Sequence, residues 1–479
     1  MQPPLVEVGL LFPTVEFAVF FLFVFVASWA SARWPTLRKL ILLAASYVFY
    51  GWWDPHFCLL LFVCTMVNYG FGLGLQGSRG EARRRTITTV AVLFNLAILG
   101  YFKYWGFFLS SAAQALDALH LGHDFKIFEA LLPVGISFYT FQGISYIVDI
   151  YRGEIRAVKD PVDMLLFKSF FPQLIAGPIV RAKEFLPQLA QSFDLSELYA
   201  TRAFLLIAMG LFKKVVIAHY LAVELVGPVF ESPSSYGTID LMFAAYGYAV
   251  QIYCDFSAYT DLAIGVALLF GYQFPANFNQ PYRAVSLQDF WRRWHISLSR
   301  FLRDYLYIPL GGSRGPWWMT YRNLLLTMVL GGLWHGASWT FVFWGLLHGL
   351  GLCLEKVAAI PNLSFMRWPP MRLIRRFGTF HFVCLTWIFF NADSLSSATS
   401  FLESLGHTGV PPKIIAPFSL SLLLVGLGSQ FLPANLLSRL EAGFSRVPLP
   451  MQGAFTALAV IAIVACGPGA LAPFIYFRF

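Results

Sequence analysis

Charge is scarce in this chain of 479 residues, with Asp, Glu, Lys and Arg together at 12%, about half the share of an ordinary soluble domain. That excludes packing as a water-soluble globule. Cysteine is sparse as well: Cys58, Cys64, Cys254, Cys353, Cys384 and Cys466 lie scattered in apolar stretches with no C-x-x-C spacing. They read as buried core residues, and neither a disulfide framework nor a metal site is expected. No G-x-S-x-G, Walker loop or G-x-G-x-x-G in strand context occurs, which argues against a soluble hydrolase and an ATP-driven pump. No repeat of fixed period stands out, nor do two halves with matching broken helices, and this weakens a secondary-transporter reading. The alternating pattern of an outer-membrane barrel is missing too, leaving the inner membrane as the expected address.

What is present is apolar: 58% hydrophobic and 18% aromatic residues. Long apolar runs recur, among them Phe17 to Ser31, Leu60 to Leu75, Thr88 to Tyr101, Phe204 to Ala218 and Phe455 to Cys466. The expectation is an all-α, multi-pass membrane protein. We expect one domain over 1–479, with about eleven transmembrane or re-entrant helices and further helices lying in the interface. No basic segment precedes the first run, and Glu7 and Glu16 stand where one would be, so it reads as a retained helix rather than a signal peptide.

A net charge of +9 would suggest nucleic acid in a soluble protein; in a membrane protein it reflects cytoplasmic loops, and no nucleic-acid partner is expected. The basic residues fall accordingly. Arg33, Arg38 and Lys39, then Arg79 and Arg83 to Arg85, then Arg152, Arg156 and Lys159 occupy alternate loops, which are cytoplasmic if the N-terminus is outside.

The longest polar interruption, about Pro275 to Arg322, contains "SLQDFWRRWHISLSRFLRDYLYIPLGG". Ser286 and Asp289 suit a capping box and Pro309 with Gly311 and Gly312 suits an end, so the spacing predicts one interfacial helix. Phe290, Trp291, Trp294, Leu298, Phe301 and Leu302 would share its apolar arc, Arg292, Arg293, Ser299, Arg300, Arg303 and Asp304 the polar one, with His295 at the edge.

In "GGLWHGASW", 331–339, His335 stands among glycines in very apolar sequence. An ionisable group at membrane depth is costly and is commonly kept for a pathway or a reaction; a core histidine bonded to a carbonyl is the plain alternative. Gly331, Gly332 and Gly336 would let backbone come close to a cavity or allow a helix break, and Gly332 with Gly336 forms a G-x-x-x-G of the kind that packs helices. His348, 13 residues further on, would lie about 220° around a continuous helix and share no face with His335. "QIYCDFSAYTD", 251–261, places Asp255 and Asp261 in an apolar region, where carboxylates need partners, an arginine or histidine being the natural choice; a structural ion pair and a catalytic part are both open. "PVGISFYTFQ", 133–142, and "FFPQLIAGPIV", 170–180, carry helix breakers that suit re-entrant walls or ordinary kinks.

Taken together, "FNQPYRAVSLQDFWRRWHISLSRFLRDYLYIPLGGSRG", "GGLWHGASWTFVFWGLLHG", "PVGISFYTFQ", "FFPQLIAGPIVR" and "QIYCDFSAYTDLAIG" resemble the membrane-bound O-acyltransferase family. The likeness is to its bacterial branch, which holds membrane subunits for alginate O-acetylation, peptidoglycan O-acetylation and teichoic-acid D-alanylation. It is strongest over 133–349. The resemblance implies that the helices surround a membrane tunnel, with His335 as the family's essential histidine at its base and His295 as the second histidine. It also implies an acyl donor, acetyl-CoA or an acyl carrier, used as substrate with no bound cofactor. A polysaccharide acceptor and an exported serine esterase-like partner would complete the system. Arg292, Arg293 and Arg300 would attract donor phosphates or anchor the helix to lipid headgroups; Asp289, Trp334, Asp255 and Asn279 are further donor-binding or tunnel candidates. The terminal "PFIYFRF", 473–479, resembles the end of the small partner peptide of the D-alanylation system. Tyr476 is therefore a candidate acyl relay, the alternative being an aromatic belt at the membrane surface.

Overall fold

Helices and the turns between them make up the computed structural model, which describes residues 10, 12–122, 130–191, 199–358, 368–467 and 474–475. In chain order they are α1 (Val15–Ala30), α2 (Pro35–Gly51), α3 (Pro55–Gln76), α4 (Glu81–Ala118), α5 (Ile136–Tyr151), α6 (Pro161–Ser169), α7 (Ala182–Leu189), α8 (Ala200–Glu231) and α9 (Thr238–Leu269). There follow α10 (Leu287–Trp291), α11 (Ile296–Leu302), α12 (Trp317–His335), α13 (Trp339–Val357), α14 (Pro369–Asn391), α15 (Leu395–Ser404), α16 (Pro417–Gly428), α17 (Leu436–Phe444) and α18 (Leu449–Ala465). Six of these, α3, α4, α8, α9, α13 and α14, are long and apolar enough to cross a membrane; Pro417–Phe431 and Leu436–Phe444, bent by 94°, make a seventh if taken as one span. The expected eleven counted re-entrant pieces as well; among the described residues, length with apolarity supports six or seven. Large apolar side chains such as Phe23, Leu59 and Phe377 stand exposed, as lipid-facing residues do.

The chain folds into two compact units, residues 1–203 with 262–275, and residues 204–261 with 276–479. In the first, local sequence signals set the helix starts. Thr14 caps α1 by accepting from the Phe17 amide, and Asp54 caps α3 by accepting from the His56 amide, each satisfying a donor that the helix cannot. Arg38 is buried; its guanidinium donates to Ser28 Oγ at 3.0 Å and to the Phe270 carbonyl at 2.6 Å, while Trp29 Nε1 donates to the Leu269 carbonyl at 3.0 Å. Cationic and N–H donors thus cover carbonyls at the C-terminal end of α9.

The three basic loops meet at one end of this unit. Lys39 pairs with Asp163 at 2.6 Å, Arg84 donates to the Tyr151 carbonyl at 2.8 Å, and Tyr69 donates to the Lys159 carbonyl at 2.7 Å. Positive charge at that end fits their assignment to one side of the membrane. The two helix-breaking motifs also meet: Gly135, in the left-handed region at φ 75°, turns its back on the Leu174 carbonyl so closely that no Cβ would fit. Here only glycine meets both requirements.

In the second unit α12 and α13 form a tight hairpin. A Cβ on Gly332 would run into the Phe341 carbonyl, and one on Gly345 into the Met328 carbonyl, so Gly332 brings its backbone against the neighbouring helix rather than against a cavity, with Gly345 as its counterpart. Gly345→Leu is expected to push the hairpin apart and cost about 1–3 kcal/mol, read as a lower thermal midpoint in detergent. Gly443→Ala, where an added Cβ meets nothing within 4 Å, should leave the midpoint in place.

Candidate functional site

The segment expected as one helix is broken. α10 ends at Trp291, and α11 begins after His295, which takes the left-handed conformation at φ 41°, ψ 58°. The reason lies outside the segment. Asn277 reaches the start of α11: its carbonyl accepts from the Ile296 amide at 2.9 Å, and its Oδ1 accepts from the Ser297 amide at 3.0 Å and from Ser297 Oγ at 2.9 Å. These amides are donors that a new helix leaves orphaned. The apolar arc survives the break, since Phe290, Trp294, Leu298, Phe301 and Leu302 are all buried.

Asn277 also fixes the histidine. His295 Nδ1 lies 3.2 Å from Asn277 Oδ1, and an oxygen already accepting from an amide N–H can only accept again. The proton of the neutral ring therefore sits on Nδ1. Nε2 is left as a lone pair, fully buried and with no hydrogen-bond partner among the described residues. His295 lies outside the six spans, and burial pushes its pKa down, because a desolvated ring resists charging. Phe256 meets the ring edge to face, at 4.6 Å and 89°.

His335 is the last residue of α12 and is 2% exposed. Gly336 continues in extended conformation and Ser338 caps α13. Aromatic rings enclose the imidazole: Trp334 at 5.1 Å, Trp344 at 5.2 Å and Phe390 at 5.2 Å between centroids. Trp334 also stands 6.0 Å from His295, so both histidines flank one indole. Such a cage excludes water and gives any proton transfer a low-dielectric setting.

Asp255, buried, and Asp261, half-buried, are both paired, but with lysines rather than an arginine or histidine. Lys214 lies 2.6 Å from Asp255, and Lys213 lies 2.5 Å from Asp261. Both lysines sit in a π-helical turn of α8, Phe212–Ala218, where the wider turn directs consecutive side chains toward α9; two lysines within an apolar run were the signal. The other Asp255 oxygen accepts from the Ile475 amide at 2.8 Å, and Phe474 lies on Tyr259 at 4.1 Å. Tyr476 itself lies outside the described residues.

The remaining candidates divide. Arg293 is bound to Asp289 at 2.8 Å and to the Asn279 carbonyl at 3.3 Å, tying the end of α10 to the segment before it, whereas Arg292 and Arg300 are exposed. Among the described residues no three His, Cys, Asp or Glu side chains form a metal site. An open cleft of about 570 Å³ lined by Glu81, Arg85, Thr86 and Tyr151 belongs to the first unit and holds none of the candidates. Sequence reasoning missed Asn277, Trp344, Phe390 and the two lysines.

The family model for the membrane-bound O-acyltransferase family matches residues 154–395, the stretch that contains both histidines. "Probable alginate O-acetylase AlgI" of Azotobacter vinelandii is 43% identical over 369 residues, covering 75% of this chain and 71% of that one. The chain belongs to the membrane-bound O-acyltransferase family. A peptidoglycan O-acetyltransferase of Helicobacter pylori is 38% identical over 80% of this chain and 76% of its own length. A teichoic acid D-alanyltransferase of Bacillus subtilis is 27% identical over 71% and 86%.

Asn277→Ala in this acyltransferase removes one acceptor from three donors and should cost about 1–3 kcal/mol, seen as a lower thermal midpoint. His295 adds a pH dependence of known sign. Between its depressed pKa and the ordinary value near 6.5, the unfolded chain binds a proton that the folded chain refuses, so stability rises with pH across that window. The midpoint should therefore fall as pH drops from 7 to 5, with a shallower slope in His295→Gln.

Proposed function

We propose that the chain moves an acetyl group from a cytoplasmic thioester, acetyl-CoA, toward O-acetylation of an extracytoplasmic polysaccharide, from the bacterial inner membrane. The observation that carries this is the pairing of two buried imidazoles on one indole, with the His295 Nε2 lone pair open among the described residues. His335 is the general base. It takes the proton of the attacking hydroxyl as the new C–O bond forms and the C–S bond breaks, and returns it to the departing thiolate. Its place at the C-terminus of α12 favours the positive charge that the ring gains on the way. His295, held in one tautomer by Asn277, accepts a hydrogen bond at Nε2 from the donor's amide N–H, and so orients it.

The exposed Arg292 and Arg300 are suited to attracting the donor's phosphates. Arg293, Asp289, Asn279, Asp255 and Trp334 support the walls. Tyr476 is the acyl relay in this scheme, receiving acetyl with help from His335 and passing it to a serine of an exported esterase-like partner. Two of the relatives above are named for O-acetyl transfer, which favours acetyl. The D-alanyltransferase, matched over 86% of its length, keeps D-alanyl transfer from a carrier protein to teichoic acid as the second reading.

Detergent-purified protein given acetyl-CoA should release free CoA thiol, and His335→Ala should reduce that release about 10²- to 10⁴-fold. Turnover equal in wild type and His335→Ala would sink the proposal. Turnover only with a D-alanyl carrier protein would move it to the second reading.

A further inference from the structure

His348 lies one hairpin arm away from His335. On a continuous helix the two would face apart, but α12 stops at His335 and α13 starts at Trp339. In the folded hairpin, Trp344 stands between them, 5.2 Å from His335 and 4.8 Å from His348.

The bonds of His348 settle its state. Nδ1 receives Trp291 Nε1 at 3.3 Å, and an indole N–H can only donate. Nδ1 is therefore the lone pair and Nε2 carries the proton, which it donates to Thr386 Oγ1 at 3.0 Å; that hydroxyl donates in turn to the Val383 carbonyl at 2.8 Å. The ring is fully buried and both its nitrogens are used. It has no lone pair or proton to offer a substrate, so its role is not that of an acid or base.

What it holds is specific. The chain from Trp291 through His348 to Thr386 ties α10, α13 and α14 together around one indole, that of Trp344. Trp291 lies 5.8 Å from Trp344, Trp387 stacks on it at 5.7 Å and 15°, and Phe390, itself against His335, lies 5.2 Å away. The Trp344 side chain is fully buried and its Nε1 has no partner among the described residues, so packing alone orients it. We propose that His348 is a positioning residue for the acyl-transfer site: it holds Trp344 in place against the His335 imidazole through a single neutral tautomer bonded to Trp291 and Thr386. This rests on the reading of His335 as the general base.

The test uses the full chain with acetyl-CoA and compares His348→Leu, Trp291→Phe, the double variant and His348→Gln, each normalised to folded protein. Small misplacements of a reacting group cost rate rather than affinity. His348→Leu and Trp291→Phe should each lower kcat about 10- to 100-fold, with KM for acetyl-CoA within about twofold. The double variant should be no worse than either single, because both break the same link. His348→Gln, with one acceptor and one donor, should recover part of the loss. In parallel, the rate at which diethyl pyrocarbonate modifies His335, read by peptide mass, should rise several-fold in His348→Leu. The proposal is overturned if kcat per folded enzyme stays within twofold in both singles, if their losses multiply in the double variant, or if the modification rate of His335 is unchanged. Absence of His335-dependent turnover in the wild type would count against the functional reading alone, and the modification rate would still decide the positioning role.

Discussion

A backbone amide left open in a lipid-embedded chain has no water to turn to, and this constraint governs where the helices of this protein can break. The breaks beside both histidines come with dedicated partners. Asn277 supplies both its carbonyl and its side-chain oxygen to the amides that open α11, and Ser338 caps α13 just after His335. The histidines stand at these breaks and not along helix faces. A histidine at a helix end can be aimed independently of helical phase, and each break holds its ring at a set place.

Charge obeys the same rule. Lys214 with Asp255 and Lys213 with Asp261 bring opposite charges together where neither alone could be buried. Arg38 directs its guanidinium at a hydroxyl and a helix-terminal carbonyl. Around His335 the lining is aromatic instead, with Trp334, Trp344 and Phe390 making a dry cage for the imidazole.

Much of this was readable from sequence. Low charge and long apolar runs pointed to the membrane class, the G-x-x-x-G beside His335 signalled helix packing, and the motifs around His295 and His335 pointed to the family. Other features were hidden for physical reasons. The apolar arc of 290–302 continues across the break, so periodicity could not reveal it; the break depends on Asn277, a residue outside the window. The nearness of His348 to His335 was hidden because angular phase carries no meaning across a hairpin. The lysines that pair the aspartates sit in a π-helical turn, whose register differs from the 3.6-residue repeat. The basic loops, by contrast, come together at one end of the first unit as their charge implied.

The most direct measurement is a structure of the chain with a non-hydrolysable ketone analogue of acetyl-CoA, in which a methylene replaces the thioester sulfur. The ketone should lie against both rings, its carbonyl carbon placed so that a hydroxyl bonded to the His335 imidazole stands about 3–3.5 Å from it, with the donor's amide N–H reaching His295 Nε2. An analogue seated away from both rings, with Trp344 and Trp334 undisturbed, would contradict the assignment of the acyl-transfer site to these two histidines.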